Sequence, residues 1–345
     1  MIPNVQPHLA SRPSRGRLSV RLIAAAAGAL LAISAVAPAF AQTTPTMLTL
    51  RAMPAKLKKG ETPATLPPLM QADITDIRIG GKKADITAFD PLLKGPHKLQ
   101  LMVLFDSMEM LGAGGQFEDI ESFIHGLPTN VEVGVGWLLQ GQVRIVQPFT
   151  MDREAVYKTF VAQTREQAAN HQNDNGNPYM CLRWLAIHWP DPDPAKLRAV
   201  LMFTDGIIRN NNQSQAGDLF NPDVEGASQA LQRAGIVPYP FFWLDPIVPD
   251  PNRAEGGSLE GQQYFTQLVK NTGGVALYEG MFAPGSLGPL LDKLYGTLAS
   301  EAVVTVNAPG KPGKFTRLDI KTEREDIRIV GPDSVTIGNT IETKK

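Results

Sequence analysis

The sequence predicts an α/β protein: a Rossmann-like, doubly wound, mostly parallel sheet with helices on both faces, flanked by β segments at the N- and C-terminal sides. Three observations predict it. Two near-continuous apolar runs, "LQLMVLF" at 99–105 and "LRAVLMF" at 197–203, lead into carboxylates at Asp106 and Asp205, as strands covered on both faces do. Between and after these runs, the apolar period switches repeatedly between strand and helix. The regions before 96 and after 300 carry only the strand period.

The elements follow in order. "LIAAAAGALLAISAVAPAFAQ" comes after Arg12, Arg15, Arg17 and Arg21 and ends in Ala39-Phe40-Ala41. A basic n-region, an apolar core and small residues at the end make a secretory signal, cut after Ala41. A membrane anchor is the alternative reading, but an apolar run of about 16 residues is short of the ~20 a span requires. The mature chain then holds no span. Removing residues 1–41 takes away four arginines and no acid, so the formal charge goes from −1 to −5. A mildly acidic exported chain is a poor binder of nucleic acid. With Cys181 as the single cysteine, no internal disulfide can form, and the core alone holds the fold.

Residues 42–95 are read as an N-terminal β segment. In it, Ile77 and Ile79 alternate with polar residues, Gly80-Gly81 turns the chain, and Ala84, Ile86 and Ala88 alternate again, a hairpin signal. Residues 96–300 carry the α/β layer. After the first buried strand, Phe117, Ile120, Phe123, Ile124 and Leu127 fall at helical spacing. "VEVGVGWLL" and "VRIVQPF" read as adjacent strands, and Arg153–Asn170 as a helix with Asp152 and Glu154 at its positive end. A polar loop and a short helix over Tyr179–His188 precede the second buried strand. A helix with Val224, Ala227, Leu231 and Ala234 follows. "IVPYPFFWL" reads as a strand whose two prolines suit an edge. After it come a helix with Phe265, Leu268 and Val269, the short strand "VALYE", and a leucine stripe over 287–298. Residues 301–345 are a C-terminal β segment and tail, with "AVVTVNAP", "FTRLDIKT" and "IRIV" as strands.

This order, with "LMVLFD", "LMFTDG" and "NTGGVALYE" in their places, resembles a von Willebrand factor A domain. More closely, it resembles the exported proteins with that domain common in Acidobacteria, which carry similar β segments; "LMQADITDIRIGGKKADITAF" and "GKFTRLDIKT" match those. The resemblance covers roughly residues 48–330. It implies a metal held through D-x-S-x-S, a distant threonine and the aspartate of "TDG", with a protein partner's carboxylate completing the cage. Carried over here, the first ligand is Asp106 and the last Asp205. The serine positions hold Met108 and Met110, and "NDNGNPY" has no threonine. Thioethers are poor partners for Mg²⁺. The metal site is therefore expected to be degenerate and at most a weak Mg²⁺ binder. Glu109 is a candidate third acid, and Asn175 or Asn177 a candidate carbonyl donor. Otherwise Asp106 caps neighbouring amides and Asp205 bonds its own turn.

No catalytic constellation stands out. His8, His97, His125, His171 and His188 show no metal-ligand spacing, and no G-x-S-x-G or complete Walker A occurs. Cys181 reads as a small core residue. Two loops read as contact surface, 207–222 and 243–257. The leading expectation is a non-enzymatic binding module that engages a protein through the rim around Asp106 and Asp205, with Ser107, Glu109, Asn210, Asn211 and Asn212 in contact. The alternatives are a structural part of a cell-envelope assembly, periplasmic or extracellular in either case, and a metal-dependent hydrolase using Asp106, Glu109 and Asp205. The sequence leaves the oligomeric state open.

Overall fold

The computed structural model describes residues 43–56, 66–106, 116–170, 176–208, 221–243, 257–278 and 284–339. Its centre is a five-stranded sheet of β5 (Leu99–Asp106), β6 (Val131–Leu139), β7 (Gln142–Thr150), β8 (Leu197–Thr204) and β9 (Ile236–Phe242), in the order β7-β6-β5-β8-β9. β5 runs parallel to β6 and β8, and β8 to β9; only β7 is antiparallel, as the second arm of a hairpin with β6. All eight residues of β5 and of β8 are buried. That explains why the two runs read as continuous apolar stretches rather than alternating ones.

Because side chains alternate across a strand, the sheet feeds two separate cores. Leu101, Val103 and Phe105 pack on one face with α1 (Phe117–Gly126), α2 (Arg153–Asn170) and α6 (Gly288–Ser300). Met102 and Leu104 pack on the other with α3 (Pro178–Ile187), α4 (Pro222–Ala234) and α5 (Gly257–Thr272). The sheet is thus wound on both sides, as expected. Asp152 Oδ1 accepts the Ala155 N–H at 3.0 Å and starts α2, and Cys181 is buried in the second core.

The strand expected at "VALYE" is reduced, among the described residues, to a single bridge between Phe241 and Leu277. The prolines are the reason. Phe242 N–H donates to Leu277 O, and Leu277 N–H to Pro240 O, both at 2.8 Å. By alternation, the nitrogens of Pro238 and Pro240 face that same side, where they have no hydrogen to give.

The two β regions fold onto each other. One sheet has the order β12-β1-β10-β4, from β1 (Thr43–Pro54), β4 (Asp85–Pro91), β10 (Ala302–Pro309) and β12 (Ile327–Val330). The other has the order β13-β11-β2-β3, from β2 (Asp76–Ile79), β3 (Lys82–Lys83), β11 (Phe315–Lys321) and β13 (Ser334–Thr336). β1 pairs with β10 over eight residues and then with β12 over four. Leu48, Leu50, Ile77, Ile79, Val304, Val306 and Leu318 belong to the core they share. The expected hairpin exists only as β2 with β3; β4 then leaves to pair with β10.

A buried ion pair ties β1 to the α/β layer. Arg51 and Glu301 are 4% and 2% exposed and lie 3.2 Å apart. Arg51 also donates to Gly273 O and, at 2.7 Å, to Gly274 O, just past α5. Tyr239 of β9 donates to the other Glu301 oxygen at 2.6 Å. Burial pushes the Glu301 carboxyl up, against the pull of Arg51 and the Tyr239 hydrogen bond.

At the N-terminal ends of the strands, Lys196 sits between Asp191 at 2.7 Å and Glu132 at 2.9 Å. Burial raises the Glu132 pKa, but bonds from Lys196, Gln100 and Lys98 bring it net below the ordinary value. The Lys196 hydrogen bond holds Asp191 low.

Arg51→Met strands a buried carboxylate and should cost about 3–5 kcal/mol in urea unfolding, whereas Arg51→Met with Glu301→Leu should recover most of it. Glu132 and Asp191 have folded pKa values below their unfolded ones. Their stabilisation is therefore complete above about pH 5 and is lost as pH falls through the depressed values. Lys196→Met should flatten that acid limb when urea midpoints are compared between pH 7 and pH 3.

Candidate functional site

β5 and β8 are neighbours with Phe105 opposite Phe203, so the next residues, Asp106 and Thr204, meet at the carboxyl edge. The Thr204 hydroxyl donates to Asp106 Oδ2 at 2.7 Å and accepts the Gly206 N–H at 3.2 Å. Asp205 follows directly on the last residue of β8. Its Oδ1 accepts the Ile207 N–H at 2.9 Å, the local turn that a short carboxylate favours. Asp106 is 7% exposed, and Asp205 and Thr204 are 0% exposed. Both carboxylates therefore stand at the rim, but just beneath its surface.

α5 seals the turn from below. A Cβ on Gly261 would lie 1.9 Å from the Asp205 carbonyl oxygen, and one on Gly206 (φ +72°) would lie 2.6 Å from the Phe265 ring. Only glycine allows this approach.

The starts of α3, α4 and α5 are bonded together behind Asp205. Tyr179 donates to Gly206 O at 3.1 Å. Burial first, then the nearby charge of Asp205, holds its phenol well above the usual range, so it remains a donor. Its ring meets Tyr264 edge to face at 5.8 Å. Tyr264 donates to Glu260 at 2.6 Å and receives a bond from Asn221 at 3.3 Å. Asn177 Oδ1 accepts the N–H groups of Tyr179 and Met180 at 3.0 and 3.1 Å, and its Nδ2 donates to Asp223 at 2.6 Å.

The structure thus brings Asp106 and Asp205 to one edge. Ser107, Met108, Glu109, Met110, Asn175, Asn210, Asn211 and Asn212 lie outside the described residues. Two expectations are corrected. Asn177 was a candidate carbonyl donor, but its oxygen caps α3. The contact loops were expected to begin at Ile207 and Trp243, but Ile207, Ile208 and Trp243 are 6%, 8% and 1% exposed; Ile208 and Trp243 pack into opposite cores of the sheet. Sequence reasoning passed over Thr204, Tyr179, Tyr264, Glu260 and Asn221. A signal existed for Thr204: two parallel strands of eight residues, 99–106 and 197–204, set it beside Asp106. Among the described residues, no group of three or more His, Cys, Asp or Glu side chains could hold a metal ion.

No family model matches the chain, and no curated protein matches it. Several solved structures are similar to it. One is the conserved hypothetical protein BatB from Bacteroides thetaiotaomicron, at 16% identity and TM-score 0.40, over 59% of this chain and 97% of that one. A von Willebrand factor type A protein from Catenulispora acidiphila aligns at 10% identity and TM-score 0.39, over 78% of this chain and 75% of that one. The pilus adhesin SpaC from Lactobacillus rhamnosus GG aligns at 9% and 0.41, over 79% of this chain and 49% of that one. At such identities these likenesses say nothing of ligand or partner.

Thr204→Val removes the hydroxyl that meets a buried carboxylate and should cost about 2–3 kcal/mol in urea unfolding. Thr204→Ser should lie within about 1 kcal/mol of the parent. Equal stability of Thr204→Val and the parent would show that Asp106 does not depend on this donor.

Proposed function

We propose that this chain is an exported, non-enzymatic binding module of the von Willebrand factor A type, which engages a protein partner through the loops framing the Asp106–Asp205 edge. The observation that carries the reading is the Thr204 hydroxyl donating to Asp106. That hydrogen bond meets one oxygen of the Asp106 carboxylate from within the chain. With the Asn177 oxygen spent on α3 and Met108 and Met110 at the serine positions, the residues present do not fit a tightly held Mg²⁺, which demands near-octahedral oxygen donors. Asp106 and Asp205 act here as the floor of the rim. Ser107, Asn210, Asn211 and Asn212 would supply contact through a hydroxyl and amides, which bond a partner without the desolvation cost of charge, and Glu109 would supply a charged acceptor. Export rests on the N-terminal signal. No helix of the described residues is long and apolar enough to cross a membrane.

The alternative of an envelope scaffold joined by strand addition requires an open sheet edge. The described edges are blunted. β4 carries a register shift opposite Thr305/Val306, β7 carries two shifts against β6 and holds Pro148, β9 holds Pro238 and Pro240, and β3, β12 and β13 have two, four and three residues. Bulges, prolines and short strands are what keep such edges from pairing. A hydrolase would need Glu109 as a third acid, and no described pair of nucleophile and base supports that reading.

Affinity capture from the native envelope tests the proposal. The protein should retain one partner, and Asn210→Ala, Asn211→Ala and Asn212→Ala together should reduce capture about tenfold, equivalent to ~1.4 kcal/mol. Lys82→Glu with Lys83→Glu, on β3 of the sandwich, should leave it unchanged. The opposite pattern would place the interface on the sandwich.

A further inference from the structure

α3 runs from the carboxyl edge, where Tyr179 bonds Gly206, to the opposite end of the sheet, where Trp189 bonds Gln100 of β5. Its inner face, with Tyr179, Cys181, Leu182 and Leu185, lies in the second core. Its outer face is not an ordinary solvated one. Met180, Arg183, Trp184, Ile187 and the capping His188 fall at helical spacing along one stripe. Met180 is 47% and Ile187 36% exposed, and Arg183 and His188 are exposed with them. Trp184 packs partly on the core, and the His188 ring stacks on it at 4.3 Å, so the indole is held in place. Apolar side chains left together in water on one helix mark an interaction surface. Tryptophan and arginine are the residues that contribute most to such contacts.

Arg183 decides what this surface takes. The stripe holds no acid, and among the described residues no ion pair includes Arg183. The acids of the neighbouring α4 are already bonded, Asp223 to Asn177 and Glu225 to Gln229 and Asn271. A second copy of this chain fits poorly. Two α3 stripes related by a two-fold axis set Arg183, at the middle of the stripe, beside its own copy, and like charges across a contact repel. An anionic bilayer fits poorly too. Residues 96–300, which carry α3, hold 13 lysines and arginines against 22 acids, so such a surface repels the layer as a whole. A protein segment avoids both costs by placing one carboxylate at Arg183 and apolar side chains around it. We infer that the outer face of α3 docks an amphipathic helix of a partner protein, with apolar side chains on Met180, Trp184 and Ile187 and an aspartate or glutamate on Arg183. From Met180 to Ile187 the stripe is about 10 Å long, the length of two turns of such a helix. The inference goes beyond the rim proposal. Ile187 lies at the end of α3 away from the rim, so either reading stands if the other fails.

Photo-cross-linking in the native envelope tests it, with p-benzoylphenylalanine in place of Ile187 in the whole protein. The adduct should contain one other protein, and its cross-linked peptide should carry apolar residues and an acid at helical spacing. The same group in place of Met70, which is 53% exposed on the sandwich, should give no such adduct. Arg183→Glu should reduce the Ile187 adduct about tenfold, and changing the partner's acid to lysine should restore it. Arg183→Glu should unfold at the parent's urea midpoint; if it does not, Arg183→Gln takes its place. An adduct with a second copy of this chain, with lipid, or with a segment that bears no acid overturns the proposal. So does an adduct that Arg183→Glu leaves unchanged, or no adduct at Ile187.

Discussion

A carboxylate at the end of a buried parallel strand must find donors where water barely reaches. Two such groups, Asp106 and Asp205, close adjacent strands, and the packing around them follows from how each is satisfied. Asp106 takes the hydroxyl of Thr204, and Asp205 takes the amide of Ile207. Once Asp205 turns inward, Gly206 must turn the chain tightly, Gly261 must let α5 approach the backbone, and Tyr179 must reach the Gly206 carbonyl. The asparagine caps of α3 and α4, Asn177 and Asn221, extend the same bonding outward. Among the described residues, this edge is a hydrogen-bond assembly that joins the ends of β5 and β8 to the starts of α3, α4 and α5.

The same logic holds at the other end of the sheet, with the signs reversed. Arg51 and Arg198 are buried cations at the seam with the sandwich. Arg51 has Glu301 as its counter-ion, while Arg198 has four backbone carbonyls and the nearby charges of Asp191 and Asp193. β1 supplies Arg51, and the turn at Asn339 both bonds Met47 and accepts from Arg198. The N-terminal strand and the C-terminal residues are therefore part of how the α/β layer is held, which explains why one sandwich draws strands from both ends of the chain.

The α/β layer was legible because burial on both faces leaves a direct trace: near-continuous apolar runs for β5 and β8, helical stripes for α1 and α6. The carboxylate edge was legible for the same reason, since both aspartates end such runs. Three things were hidden. The pairing of β4 with β10 joins residues more than 200 positions apart, and local alternation cannot report a partner. The single bridge at Leu277 depends on which side of β9 its prolines face. The roles of Thr204, Tyr179 and Asn177 are set by register and by helix starts meeting in space, whereas their residue types suit many ordinary positions. The burial of Ile207 and Trp243 was readable from their hydrophobicity, but it was outweighed by the polar loops they introduce.

The central claim is that this edge is satisfied by the protein's own donors. Calorimetric titration of the purified protein with Mg²⁺, Mn²⁺ and Ca²⁺ tests it most directly. The account predicts no micromolar binding of any of the three and the same heat trace for Asp106→Ala as for the parent. Micromolar binding that disappears in Asp106→Ala would contradict it.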